Sequence, residues 1–341
     1  NHNINASEEG NYFVDNYSRV DMPTRAVVRD ASGEVKIQLQ QVDMTAAEEI
    51  GWEAPEEFKV KAADGATDLY GVMWKPFDFD STKSYPIITY VYPGPQTEPF
   101  PTSFSVGGST GRNQSLSQLG FVVVAFGQRG GSPIRSKYYH NYGYGDMRDY
   151  PLADNKYGIE QLASRHSFVD QDRVGIFGHS GGGFMSTAAL LTYPDFYDVA
   201  VSSAGNHDNN IYNIWWGEVH NGVKETRKTV KVMNEDSVEV EKEGITFDGP
   251  VETNAALAGN LKGKLLLVHG DMDNNVHPAN TIRLADALIK AGKRFDMMIL
   301  PGRRHGFGPY NPYFQRMMWY YFSEHLLGDY RTNVDFNLPE D

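Results

Sequence analysis

Apolar residues along this chain fall into runs of two kinds, and the change from one kind to the other divides the sequence. From Asn11 to Gln41 short apolar runs alternate with polar positions: Tyr12-Phe13-Val14, then Arg25-Ala26-Val27-Val28-Arg29, a turn at Asp30-Ala31-Ser32-Gly33, and Glu34-Val35-Lys36-Ile37-Gln38-Leu39. This is the pattern of β-hairpins, and such strands cannot bury both faces alone. A linker over 43–55 and a second hairpin, 58–61 with 69–74 closed by Pro76, come next. Beyond it the runs at 86–92 and 121–126 become continuously apolar, and further short strands are read at 173–177, 199–202, 264–268 and 295–300. Runs of that kind suit strands covered on both faces.

Helical patterns lie between those runs. One starts near Asp149 with Pro151 in its first turn and Ile159, Leu162 and Ala163 inward; another, rich in small residues, covers 184–191. A third runs from Pro278 to Ala291 with Gly292 as its stop, and an amphipathic one closes the chain over 313–327. Strands alternating with helices predict an α/β fold, a mostly parallel sheet with helices on both faces. From Gly222 to Gly263 charge density rises and periodicity weakens, which predicts a mobile or inserted surface region. There is no internal repeat.

Composition narrows the function. The chain has 341 residues, 40% of them hydrophobic, enough for one large α/β domain or for a domain with a small appendage. A net charge of −13 without any lysine or arginine run argues against a nucleic-acid surface. Cysteine is absent, which removes disulfides, thiolate metal sites and a cysteine nucleophile from consideration. No apolar window is long enough for a membrane span, and the polar start Asn1-His2-Asn3-Ile4-Asn5 does not resemble a signal peptide. Either none is present or the chain begins after it.

The candidate chemistry centres on Phe177-Gly178-His179-Ser180-Gly181-Gly182-Gly183, a G-x-S-x-G sequence between a β-rich run and a helix. Strand, sharp turn and helix form a nucleophile elbow, in which Ser180 is exposed at the tip and the Gly181 N–H can hold an oxyanion. A serine hydroxyl needs a base, and the base needs an orienting acid. Both follow in chain order: His269-Gly270-Asp271-Met272-Asp273-Asn274-Asn275-Val276 after one strand and Arg303-Arg304-His305-Gly306 after the next. Ser180 is assigned as nucleophile, His305 as general base and Asp273 as the acid. Asp271 competes with Asp273, which is preferred because two further residues let the chain turn back towards His305. His269, Asp271, Asp273 and His277 lie close in sequence but form no recognised metal cage, so no metal and no cofactor are expected. His179 reads as structural.

These motifs, together with Val91-Tyr92-Pro93-Gly94-Pro95, resemble the prolyl oligopeptidase family of serine peptidases, in its dipeptidyl-peptidase IV branch, over about residues 85–327. The resemblance implies an α/β-hydrolase fold over 46–341, preceded at 1–45 by the last strands of a truncated β-propeller. It implies that the Tyr92 hydroxyl partners the Gly181 N–H in the oxyanion hole. It also implies that Asn275 holds the substrate carbonyl, that Val276 touches the first pocket, and that Tyr212 and Trp216, one helical turn apart before Glu218, line that pocket. The aromatic that follows the nucleophile in that branch is replaced by Gly181, and the tryptophan upstream of Tyr212 is missing, so a strict proline preference is not implied.

The expected activity is removal of dipeptides from peptide N-termini through an acyl-enzyme. The alternative is a carboxylesterase, since the same triad hydrolyses esters; a non-catalytic interaction module is opposed by the intact triad set. Expected partners are peptide substrates, with no nucleic acid and no membrane span in this chain, and the full-length parent is expected to be a homodimer in the periplasm or outside the cell.

Overall fold

The computed structural model describes residues 1–95, 97–146, 149–248 and 252–330. The first part is a meander of four antiparallel strands, β1 (His2–Ala6), β2 (Tyr12–Arg19), β3 (Met22–Asp30) and β4 (Val35–Gln41), paired in chain order. An up-and-down sheet of four strands resembles a blade from the end of a propeller. It meets the rest of the protein through Val20, which is buried in the second apolar cluster described below, and through Ser18 Oγ, which accepts the Phe104 N–H at 3.2 Å.

A short helix, α1 (Thr45–Glu49), leads into the second part. Its elements are β5 (Glu56–Lys61), β6 (Asp68–Trp74), β7 (Tyr85–Tyr90), α2 (Gly108–Ser117), β8 (Val122–Phe126), α3 (Lys137–His140), α4 (Tyr150–Arg165), β9 (Val169–His179), α5 (Gly181–Thr192), β10 (Val199–Ser203) and α6 (Ile214–Asn221). Then come β11 (Lys224–Met233), β12 (Glu239–Asp248), β13 (Lys264–Gly270), α7 (Ala279–Lys290), β14 (Asp296–Leu300) and α8 (Asn311–Phe322). Eight strands make one sheet in the order β14-β13-β10-β9-β7-β8-β6-β5, parallel from β14 to β8, with the β5–β6 hairpin added antiparallel at the β8 edge.

The continuous apolar runs explain why helices cover both faces. Ile87, Val122, Val124 and Phe126 belong to one buried cluster, while Ile88, Val123 and Ala125 belong to the other. Successive side chains point to opposite faces of a strand, so a run that is apolar throughout needs two covers. α4, α5 and α7 provide the first through Leu152, Ile159, Met185 and Leu284; α2 and α8 provide the second through Leu116, Phe314, Met318 and Phe322. This is the α/β-hydrolase architecture.

Two stretches depart from the sequence reading. Residues 224–248, within the stretch read as a mobile or inserted surface region, are regular in structure: β11 and β12 form a separate antiparallel ladder running from Lys224↔Asp248 to Met233↔Glu239. Charged residues stand on both of its faces, so no apolar side marked it. The helix α2 was also unforeseen, because Leu116 is the one apolar side chain that it buries.

Candidate active site

β9 ends at His179 and α5 begins at Gly181, leaving Ser180 as the whole turn. Its backbone sits at φ 59° and ψ −122°, a sparsely populated conformation that persists only where the surroundings over-determine it. Here they do. The Ser180 N–H donates to the Ser203 carbonyl at 2.8 Å, and the Ser180 carbonyl accepts the Phe184 N–H at 3.0 Å. A Cβ on Gly178 would lie 2.4 Å from the Gly182 carbonyl carbon, and one on Gly182 would lie 2.3 Å from the Val91 oxygen. Glycine at both positions is what lets the start of α5 press against the ends of β7 and β9.

The acid and base loops are joined by close backbone approach. A Cβ on Gly270 would stand 2.3 Å from the Arg303 oxygen, and the Met272 N–H donates to that oxygen at 3.1 Å. Asp271 is taken up in the same seam, its Oδ1 accepting the Gly302 N–H at 2.6 Å. Asp273 instead reaches His305, with Nδ1 and Oδ2 2.6 Å apart. The other Asp273 oxygen accepts the N–H groups of Asn275 and Val276, at 2.9 and 3.0 Å. His269, wholly buried, stands 3.3 Å from Asp273 Oδ2 through Nε2, which also donates to the Val276 carbonyl at 2.9 Å. Burial pushes the Asp273 carboxyl up, but the hydrogen bonds from His269, His305 and Asn275 N–H together hold it well below the usual carboxylate range. An ionised Asp273 fixes the proton of His305 on Nδ1, so Nε2 is the nitrogen able to accept one.

His179 joins these loops to the elbow: its ring centroid lies 4.7 Å from that of His305 and 5.2 Å from that of Phe307. Tyr92 lies just past β7. The site of a Cβ on Gly181 is 3.5 Å from Tyr92 Cζ, so the phenol stands beside the first N–H of α5. Burial, then the neighbouring Tyr212 and Tyr90, raise the Tyr92 phenol above its ordinary value, so it remains a hydrogen-bond donor at neutral pH. The Tyr212 hydroxyl donates to Asn275 Oδ1 at 3.1 Å. Its ring meets Trp216 edge-on at 6.4 Å, but the two do not share a helix: Tyr212 is extended, and α6 starts two residues later. The Val276 side chain is completely buried, and its contribution to the site is the backbone N–H given to Asp273.

Ser180, Tyr92, Asp273 and His305 thus all follow carboxyl ends of parallel strands, the edge where ligands gather in open α/β sheets. His179, read as structural from its place beside Ser180, and His269, which the H-G pair at 269–270 singles out, are the residues near this site to which the sequence gives no role.

Comparison with known proteins fits this geometry. Residues 108–329 match the prolyl oligopeptidase family, and the chain belongs to it. It is 34% identical to human dipeptidyl peptidase 8 over 251 residues, which is 74% of this chain and 26% of the relative. It is 28% identical to dipeptidyl aminopeptidase A of Saccharomyces cerevisiae over 287 residues, 82% of this chain and 28% of the relative. Among solved structures, a dipeptidyl aminopeptidase IV-like protein from Bacteroides ovatus superimposes with a TM-score of 0.80 at 28% identity, over 96% of this chain and 43% of the other. Dipeptidyl peptidase 4 of Porphyromonas gingivalis shares the fold, with a TM-score of 0.77 at 22% identity over 95% of this chain and 43% of the other. The chain therefore spans under a third of the length of these curated relatives.

Proposed function

We propose that the protein is a serine peptidase that removes dipeptides from peptide N-termini through an acyl-enzyme. The observations that carry this reading are the 2.6 Å contact from Asp273 to His305 and, at the end of a neighbouring part of the same sheet, a serine held at φ 59° between a strand and a helix. His305 takes the Ser180 proton as the hydroxyl attacks the scissile carbonyl, and later gives it to the leaving amine; Asp273 holds the imidazole and balances the imidazolium. The oxygen of the tetrahedral intermediate is held by the Gly181 N–H and the Tyr92 hydroxyl. Asn275, oriented by Tyr212, presents its amide N–H to the substrate carbonyl, and Tyr212 with Trp216 walls the pocket for the residue before the scissile bond. Residues 1–45 act as the end of a propeller and 46–341 as the hydrolase domain, of which 331–341 lie outside the described residues. The restriction to N-terminal dipeptides rests on the activity named in the human and yeast relatives.

The test compares the protein with its Ser180→Ala variant on a dipeptidyl amide, on the same amide with an acetylated amino terminus, and towards an active-site fluorophosphonate. The wild type should cleave the free dipeptidyl amide and carry the label on Ser180, and the variant should lose several orders of magnitude in kcat with its fold intact. Equal labelling of the variant would remove Ser180 as nucleophile. Equal cleavage of the acetylated amide would remove the exopeptidase reading, and ester turnover without any amide turnover would leave a carboxylesterase.

A further inference from the structure

We propose that His179 is a positioning residue for the general base: its ring forms a fixed neutral wall that sets the orientation of the His305 imidazole. The proposal rests on the reading of Ser180 and His305 given above. His305 lies in a loop with its side chain 22% exposed, and the bond from Nδ1 to Asp273 leaves the ring free to swing about that contact. A second surface is needed to fix the plane in which Nε2 faces the serine. The His179 ring supplies it, 4.7 Å from the His305 ring and tilted by 55°. Phe307 stands edge-on to His179 at 88°, so the wall is itself backed.

His179 cannot turn away, because its Nδ1 is 3.0 Å from Ser203 Oγ. Ser203 gives its hydroxyl proton to the Gly178 carbonyl at 3.1 Å, so it accepts, and His179 must be the tautomer that carries its proton on Nδ1. The same serine receives the Ser180 N–H on its carbonyl, which couples the wall to the elbow. Neutrality matters as much as position. When His305 becomes an imidazolium, an uncharged π face beside it attracts the cation, and a second imidazolium would repel it. The surroundings keep His179 uncharged: burial, then the neighbouring His305, Arg112 and His269, outweigh Asp273 and bring its pKa down to about 3. Arg112 is itself occupied over the Tyr90 and Phe177 rings, at 4.6 and 5.3 Å.

The experiment compares His179→Ala and His179→Phe with the wild type, reading kcat and KM on a dipeptidyl amide and, by proton NMR, exchange with water of the downfield His305 Nδ1 proton. His179→Ala should lower kcat by about tenfold, the upper range for one ring contact, with KM within about twofold, and should speed exchange of that proton. His179→Phe keeps a ring face and should restore both readouts to within about threefold of wild type. Unchanged kcat and unchanged exchange in the folded Ala variant would overturn the proposal, and so would a Phe variant as impaired as Ala. If the wild type were inactive on the amide while the exchange rates still followed the ring, the peptidase reading would fall and the positioning role would stand.

Discussion

Two stretches of similar length, 169–192 and 224–248, show opposite ways of fixing a backbone. In the first, a strand, the Ser180 turn and a helix are locked by the rest of the protein: α5 is buried along its length from Gly181 to Leu191, and a Cβ on Gly182 would lie 2.3 Å from the Val91 oxygen and one on Gly183 2.4 Å from the Ser203 oxygen. In the second, β11 and β12 pair, among the described residues, only with each other, and most of their side chains face water, including Met233, Ile245 and Phe247. Among its ties are ion pairs such as Lys231 to Glu239 at 2.7 Å, and exposed pairs of that type contribute little. Tight backbone packing that tolerates no added atom, and not regularity of secondary structure, marks the part of the chain that carries the candidate site.

The sharpest way to break that contrast is a single methyl group. Gly182→Ala would put a Cβ 2.3 Å from the Val91 oxygen, a backbone atom that can yield only by moving Tyr92 with it. The expected cost is on the order of 3 kcal/mol or more, the range of overpacked, strained sites, with loss of the Tyr92–Gly181 juxtaposition. Urea unfolding monitored by tryptophan fluorescence measures it, and a loss below half a kcal/mol would mean that the elbow is no more tightly determined than the hairpin.

Next in size is a change that spares the packing. Tyr92→Phe deletes one hydroxyl beside Gly181 and should lower kcat by about a hundredfold, with KM and stability nearly unchanged. A raised KM at constant kcat would make Tyr92 a binding residue, and the elbow's neighbour would lose its chemical part.

Acid should then separate the two regions. His179 and His207 are both buried around the elbow; burial first, with His305 and Arg112 for one and His269 for the other, brings each pKa from 6.5 down to about 3. Between those values the unfolded chain binds the protons and the folded chain does not, so stability is full above pH 6.5 and falls as pH drops towards 3. The slope is up to about 1.4 kcal/mol per pH unit for each histidine. Denaturant midpoints at pH 7, 6 and 5 should decline, and His179→Phe should flatten the slope; an unchanged slope in that variant would mean that His179 is charged in the folded protein.

The elbow could be read from sequence because its requirements are local: serine at the tip and glycine at Gly178 and Gly182 are dictated by a turn of five residues. The fold was legible for a related reason, since runs such as 121–126 are apolar at every position and leave no alternative to a doubly covered strand. Choosing Asp273 over Asp271 was harder, because it depends on the seam in which Gly302 captures Asp271. Arg303 lies 33 residues beyond Gly270, and no pattern in either segment announces their approach. His179 was opaque for the same reason: its partners Ser203, His305 and Phe307 come from β10 and the loop after β14. The hairpin was missed because alternation on a two-stranded ladder open on both faces has no apolar side to display.

The smallest effect tests the other half of the comparison. Gly244 sits in the middle of β12, and a Cβ there would meet Val230 Cγ2 at 2.7 Å and Cγ1 at 3.2 Å. The nominal clash resembles that at Gly182, but the obstacle differs in kind. Both close atoms are methyl groups of a partly exposed valine on β11, free to rotate or lean into solvent, whereas the Val91 oxygen belongs to a backbone fixed between β7 and α5. Alanine also loses less chain entropy than glycine when held in a strand, which offsets the adjustment of Val230. Gly244→Ala should therefore alter stability by no more than about 0.5 kcal/mol in either direction and leave kcat unchanged. The same urea unfolding used for Gly182→Ala measures it, on the same protein and at the same pH. A loss comparable to that of Gly182→Ala would show that the hairpin is packed against something as unyielding as the elbow, and the contrast between the two regions would fail.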